Sequence, residues 1–289
     1  MTSAVAELRA MTDGIHSVLP CGSCEARAGG VCNGVSGPDL PRLAALATIV
    51  EVSRGQTFIL EDAPAEHFCI LILGSAKLYK LLPDGRRQII GFAYSGSFLG
   101  LAVSEGYAFS AEAIEPIRMC RMSRARLQAV LCDFRALERR LLDVAVHDLV
   151  RAQEQMLLLG RKTVSERVAS FLVFQTMRPQ PRDVRWPRIH LPMSRIDIAD
   201  YLGVTVETIS RALAKLRECG VIAIPNVHEL VIIDLPRLEA LAHGALPAES
   251  RCRRTARHLR SADTRTCSGP VMPPLSDRPE FDENLTSVN

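Results

Sequence analysis

The residue pattern predicts an α+β chain of three successive units: an N-terminal antiparallel β-roll, one long helix, and a C-terminal helix-turn-helix with a β wing. Three observations predict it. Short β-type runs separated by turn signals fill residues 49 to 122. Residues 123 to 162 then hold no Gly or Pro before Gly160 and carry a narrow apolar stripe at helical spacing. A pattern of short helix, glycine and second helix over residues 193 to 216 is followed by two more β-type runs.

Length and composition bound the reading. The chain has 289 residues, of which 47% are apolar and 23% charged, the balance of a globular protein of about two domains. Its longest uncharged stretch, Gln88 to Ser104, is broken by glycines and serines and is shorter than a bilayer-spanning helix requires, which argues against a membrane partner. Glu7, Arg9 and Asp13 leave no room for a secretory signal, so the cytoplasm is the expected compartment. In that reducing environment nine cysteines point to metal, redox or packing roles before disulfides. A net charge of +3 means that any basic footprint is local.

Taken in order, residues 1–34 form an arm ending in a loop with Cys21, Cys24 and Cys32 among glycines, without helix or strand periodicity. Residues 35–133 are the β-roll, with runs at Ile49–Val52, Thr57–Leu60, Phe68–Leu73, Ala76–Leu82, Gln88–Tyr94 and Glu112–Met122. Residues 134–163 are the long helix. Along it Leu142, Ala145, Leu149, Ala152, Met156 and Leu159 step by 3, 4, 3, 4, 3, the spacing of a seam between paired helices, so a homodimer is expected. None of these positions is acidic, so nothing obvious repels the two helices, which predicts a dimer less dependent on a bound sensor group than one with a charged seam would be. Residues 164–243 are the winged helix-turn-helix. The tail, 244–289, with prolines 247, 270, 273, 274 and 279 and a basic block at 251–265, reads as disordered.

The segment Met193 to Leu216 carries the strongest chemical signal. Ala199 and Leu202 point inward from the first helix, Gly203 makes the turn, and Thr205 caps the second helix, whose Ile209, Leu213 and Leu216 face the core. Val206, Glu207, Thr208, Ser210 and Arg211 are left near its exposed N-terminal end, where a recognition helix meets the major groove of double-stranded DNA. Arg211 suits guanine, Glu207 the cytosine amino group, Ser210 either partner, and Val206 or Thr208 a thymine methyl. Ser194, Arg195, Lys215 and Arg217 are candidates for phosphate contacts.

The order of β-roll, seam helix and winged helix-turn-helix, together with the run from Thr205 to Arg211, resembles the Crp/Fnr superfamily of bacterial transcription regulators, and its Fnr branch in particular. That resemblance implies a cyclic-nucleotide-binding-like roll, RNA polymerase as a further partner, and reading of palindromic TTGAT half-sites by Glu207, Ser210 and Arg211. It also implies a sensor. The cyclic-nucleotide branch places a Glu and an Arg-Ser pair where this chain has Leu101 and Phe109-Ser110, so no charged group is left for a cyclic phosphate, and cyclic nucleotide is not an expected ligand. The Fnr branch instead holds a [4Fe–4S] cluster on three N-terminal cysteines and one late in the roll, which maps to Cys21, Cys24, Cys32 and Cys120. Four thiolates also satisfy zinc, or form a thiol switch with no metal at all. Cys69, Cys132 and Cys219 are expected in core packing, and His147 on the surface. No catalytic motif is present, so an enzyme is not expected.

Overall fold

A computed structural model describes residues 21–35, 37–101, 105–178 and 188–245. The N-terminal twenty residues and nearly all of the tail expected to be disordered lie outside the described residues. Three single turns, Cys21–Ser23, Glu25–Arg27 and Val31–Gly34, lead into helix α1 (Asp39–Ala44). Eight strands follow: β1 (Ala47–Val52), β2 (Thr57–Ile59), β3 (His67–Leu73), β4 (Ala76–Leu81), β5 (Arg87–Ala93), β6 (Phe98–Leu99), β7 (Ser110–Ala113) and β8 (Ile117–Ser123). They make two antiparallel four-stranded sheets, ordered β1-β8-β3-β6 and β2-β7-β4-β5.

Alternation along the strands explains why two sheets and not one are stable. On β8, Ile117 and Met119 face the roll interior with Ile59, Leu71 and Ala111, while Cys120 and Met122 face the opposite way. That outer side is not left to water. Val31, Val35, Leu43, Phe68, Phe98, Phe134 and Leu137 cover it, so the cysteine loop is pinned to the sheet by a second apolar cluster.

The expected single run Glu112–Met122 is two strands, because Glu115-Pro116 turns the chain between β7 and β8. The expected unbroken helix from Ser123 also divides. Helix α2 (Arg124–Val130) ends in a tight turn, Leu131–Asp133, and the buried Phe134 leaves helical geometry at φ −112°, ψ 61° before the long helix α3 (Arg135–Arg161) begins.

The C-terminal unit contains α4 (Val164–Thr176), β9 (Arg188–His190), α5 (Arg195–Leu202), α6 (Val206–Glu218), β10 (Ile222–Ala223), β11 (Glu229–Ile232) and α7 (Leu235–Ala242). The anticipated two-stranded wing gains a third member, since β11 pairs with both β10 and β9. Its core, built on Phe171, Leu172, Leu202, Ile209, Leu213 and Leu230, also takes in Ile114, Phe92 and Tyr94 from the roll and Leu158 from α3.

Candidate nucleic-acid interface and thiol site

Each helix of the helix-turn-helix starts on a local cap. Ser194 accepts the Asp197 amide while Asp197 returns a bond to the Ser194 amide, a capping box that fixes the start of α5. The helix ends at Gly203, whose φ of +64° is the left-handed conformation that glycine adopts without a Cβ clash. Thr205 then caps α6 by accepting the Thr208 amide.

On α6, Ile209, Leu213 and Leu216 are buried, and Glu207, Ser210 and Arg211 are exposed. The Glu207 carboxyl is held below the usual carboxylate range, first by its own backbone N–H, then by the Thr205 hydroxyl, with Arg211 adding a smaller attraction. It is therefore ionised and acceptor-only at neutral pH. The Ser210 hydroxyl donates to the Val206 carbonyl at 2.9 Å, which leaves its lone pairs outward.

Three expected site residues are placed differently. Val206 is half-buried against the winged-helix core and does not stand clear of it, because the first turn of α6 leans onto that core. The Thr208 hydroxyl lies 3.0 Å from that of Thr205, inside the cap. Ser194, a candidate for phosphate, donates its hydroxyl to Asp197 at 2.6 Å. Arg195, Lys215 and Arg217 flank the reading face; Arg195 is half-buried, and desolvation lowers its pKa.

The four singled-out cysteines are near enough to influence one another's charge. Cys21, Cys24 and Cys32 lie in or beside the turns of the N-terminal loop, and Cys120 sits on β8 opposite Ile49 and Ile70. Burial, followed by Cys21 and Cys24, pushes the Cys32 thiol up to about 11, against a smaller opposing pull from Arg27. Cys120 is raised still more by burial, and after it by Cys32, Cys21 and Cys24. Charge on the neighbouring cysteines thus makes ionisation of Cys21, Cys32 and Cys120 harder, an effect second to burial at each. Among the described residues, no group of three or more His, Cys, Asp or Glu side chains is set to hold a metal ion, so the loop is not a closed tetrahedral nest. Of the other cysteines, Cys69 and Cys219 are buried as expected, but Cys132 is exposed on the turn that interrupts the helix.

This site is joined to α3. A side chain at Gly34 would meet the Ala136 carbonyl at 3.2 Å and Arg140 Cγ at 3.3 Å, so the turn bearing Cys32 lies directly on the first turns of the long helix. Further along, α3 shows an unpartnered apolar face: Leu142 is 65% exposed, Leu149 59% and Met156 65%, with Val146 and Leu157 beside them. Ala145 and Ala152 are also exposed. Leu159, the sixth expected seam residue, turns away from that face and packs on the winged-helix core beside Gly203.

The sequence signal that was available but not used lies on α5. Asp197 is 6% exposed, and besides its cap it accepts from Lys77 on β4 and from Arg87 at the start of β5, both at 3.1 Å. A serine followed three residues later by a carboxylate marks such a cap, but its pairing with the roll is a tertiary fact.

A β-roll joined through a long apolar-faced helix to a winged helix-turn-helix with an exposed reading face defines a DNA-binding regulator. Comparisons agree. The family model of the cyclic nucleotide-binding domain matches residues 49–133, and that of the Crp-like helix-turn-helix domain matches residues 166–241. The chain is 40% identical over 223 residues to the nitrogen fixation regulation protein FixK of Bradyrhizobium diazoefficiens, covering 77% of this chain and 93% of the relative. It is 31% identical over 222 residues to the transcriptional activator protein FnrL of Cereibacter sphaeroides, covering 75% and 90%. The solved structure of FixK2 from Bradyrhizobium japonicum superposes with a TM-score of 0.63 at 36% identity, covering 68% of this chain and 96% of that one. The protein belongs to the Crp/Fnr family of transcription regulators. These relatives are regulators and not enzymes.

Proposed function

We propose that this regulator senses oxygen through a [4Fe–4S] cluster held by Cys21, Cys24, Cys32 and Cys120. As a homodimer at low oxygen, it binds palindromic TTGAT-type half-sites. What supports the reading is the charge coupling between the loop and a distant strand: Cys21 and Cys24 raise Cys32, and all three raise Cys120. A donor set of sulfur alone is the usual complement of an iron–sulfur cluster, and the resemblance to the Fnr branch favours that over zinc. When bound, the cluster supplies an oxygen-labile centre.

The chain's own residues do the rest. Cys32 and Gly34 share one turn, so any shift of the Cys32 sulfur is delivered to α3 at Ala136 and Arg140. The Leu142, Leu149 and Met156 face pairs with a second copy, and Glu207, Ser210 and Arg211 read each half-site. RNA polymerase is the further partner of a regulator bound at a promoter. No described helix is long and apolar enough to cross a membrane, and the reading places the protein in the cytoplasm.

The test is purification without air followed by iron and sulfide analysis, visible absorbance, and footprinting before and after exposure to air. We expect iron-linked absorbance that bleaches in air, with loss of the footprint. Cys32→Ser or Cys120→Ser protein that still held full iron and gave a normal footprint would overturn the assignment, and stoichiometric zinc without sulfide would replace it.

A further inference from the structure

The outer face of the β2-β7-β4-β5 sheet ought to meet water, yet it carries a buried lysine. Lys77 on β4 shares a rung with Glu112 on β7 and Phe92 on β5 and is only 9% exposed, because α5 of the helix-turn-helix lies over it. A buried ammonium is stable only when paired. Lys77 Nζ lies 2.9 Å from Glu112 Oε1 and 3.1 Å from Asp197 Oδ1. Arg87 completes the group: its Nη2 reaches Asp197 Oδ1 at 3.1 Å and Asp200 Oδ2 at 2.7 Å, and its Nε reaches Asp200 Oδ2 at 2.9 Å. Beside it the Gln88 amide donates to the Asp200 carbonyl at 2.8 Å. Phe92 meets Tyr201 of α5 at a centroid distance of 5.3 Å and Phe171 of α4 at 6.3 Å.

Asp197 is used on both sides at once. Its Oδ2 accepts from Ser194 in the cap that starts α5, and its Oδ1 accepts from the two cations of the sensor sheet. The helix that precedes the turn to α6 is therefore oriented by the β4–β5 hairpin, while Glu207, Ser210 and Arg211 on α6 remain exposed. The clasp holds a reading face that is presented, not hidden.

We infer that Lys77, Arg87 and Gln88, sensor-domain residues that contact α5, are positioning residues for DNA recognition, clasping α5 so that α6 is set for the groove. The inference rests on the DNA-binding reading of α6. Releasing the clasp lets the helix-turn-helix sample other orientations, and apparent affinity falls by the fraction that remains competent.

The test uses the full-length protein purified without air and a duplex that the wild-type protein itself selects from a randomised pool, with a scrambled duplex as control. The sequence selected decides the TTGAT reading, and the variants decide the clasp. Arg87→Gln, Asp200→Asn and Gln88→Ala are each measured by fluorescence anisotropy alongside Tm. The side chains of Arg87 and Asp200 are 24% and 27% exposed, so neither is a core residue, and the Tm of each variant separates loss of fold from loss of positioning. We expect all three to bind the selected duplex about 10-fold more weakly and the scrambled one unchanged. The Arg87→Gln/Asp200→Asn double variant should be no worse than either single variant, and Arg87→Lys should recover part of the loss. Arg87→Gln and Asp200→Asn change net charge in opposite directions. A bulk charge effect would move affinity in opposite senses, and that outcome, unchanged affinity, or tighter binding would each overturn the inference.

Discussion

At the scale of single residues, Arg211 and Asp197 show two ways in which a charge serves this protein. Arg211 is exposed on the reading face, so its replacement by Ala costs no core packing and is expected to weaken operator binding by about 1–3 kcal/mol, with relaxed preference at one base per half-site. Titrating Arg211→Ala against duplexes with single base changes checks this; an equal loss on every sequence would point to a phosphate contact. Asp197 is buried in ion pairs and hydrogen bonds. Although burial opposes it, the Ser194 hydroxyl, Lys77 and the Ser194 amide hold its carboxyl below the usual range. Because the folded pKa is depressed, its contribution is fully present above an unfolded value near 3.9 and is lost as pH falls through the folded one. Asp197→Asn should thus be less stable than wild type by about 3 kcal/mol at pH 7, with the gap closing below about pH 4. Urea unfolding at stepped pH measures it, and a constant gap would show that the charge is not responsible.

At the scale of elements, the long helix shows where periodicity informs and where it misleads. A 3-4 repeat identified Leu142, Leu149 and Met156 as one face, and they are exposed together. The same repeat assigned Leu159 to that face, but the winged-helix core claims it, because the end of α3 is covered by its own chain. Leu149→Arg is expected to abolish the dimer without loss of helical circular dichroism, since the side chain is mostly exposed in the single chain; sedimentation velocity decides. With no carboxylate at the expected seam positions, the wild-type dimer should persist, at least in part, in aerated samples. A fully monomeric aerobic protein would contradict that reading. Strand β6 and the third wing strand β9 escaped the sequence because two or three residues pairing by backbone alone leave no side-chain alternation to detect.

At the scale of the molecule, the order of units and the helix-turn-helix were legible, because a capped helix pair is a local pattern; the cysteine spacing is local too, and its role as a site is a proposal. What the sequence did not disclose is how the units touch. Lys77 read as an ordinary strand lysine, and Asp197 as a first-turn acid, until sheet and helix met. Gly34 gave no sign that its missing side chain admits the helix backbone.

That contact also sets a mechanical scale. The 27-residue α3 touches the cysteine turn near Arg140 at one end and Gly203 at Leu159 near the other, a span of about 30 Å at the usual helical rise. A tilt of about five degrees at the near end would swing the far end by close to 3 Å, roughly the rise of one base pair along a duplex. On the proposed reading, a rigid rod of this length would act as a lever, turning a small rearrangement around sulfur into a misregister of nearly one base step at the operator.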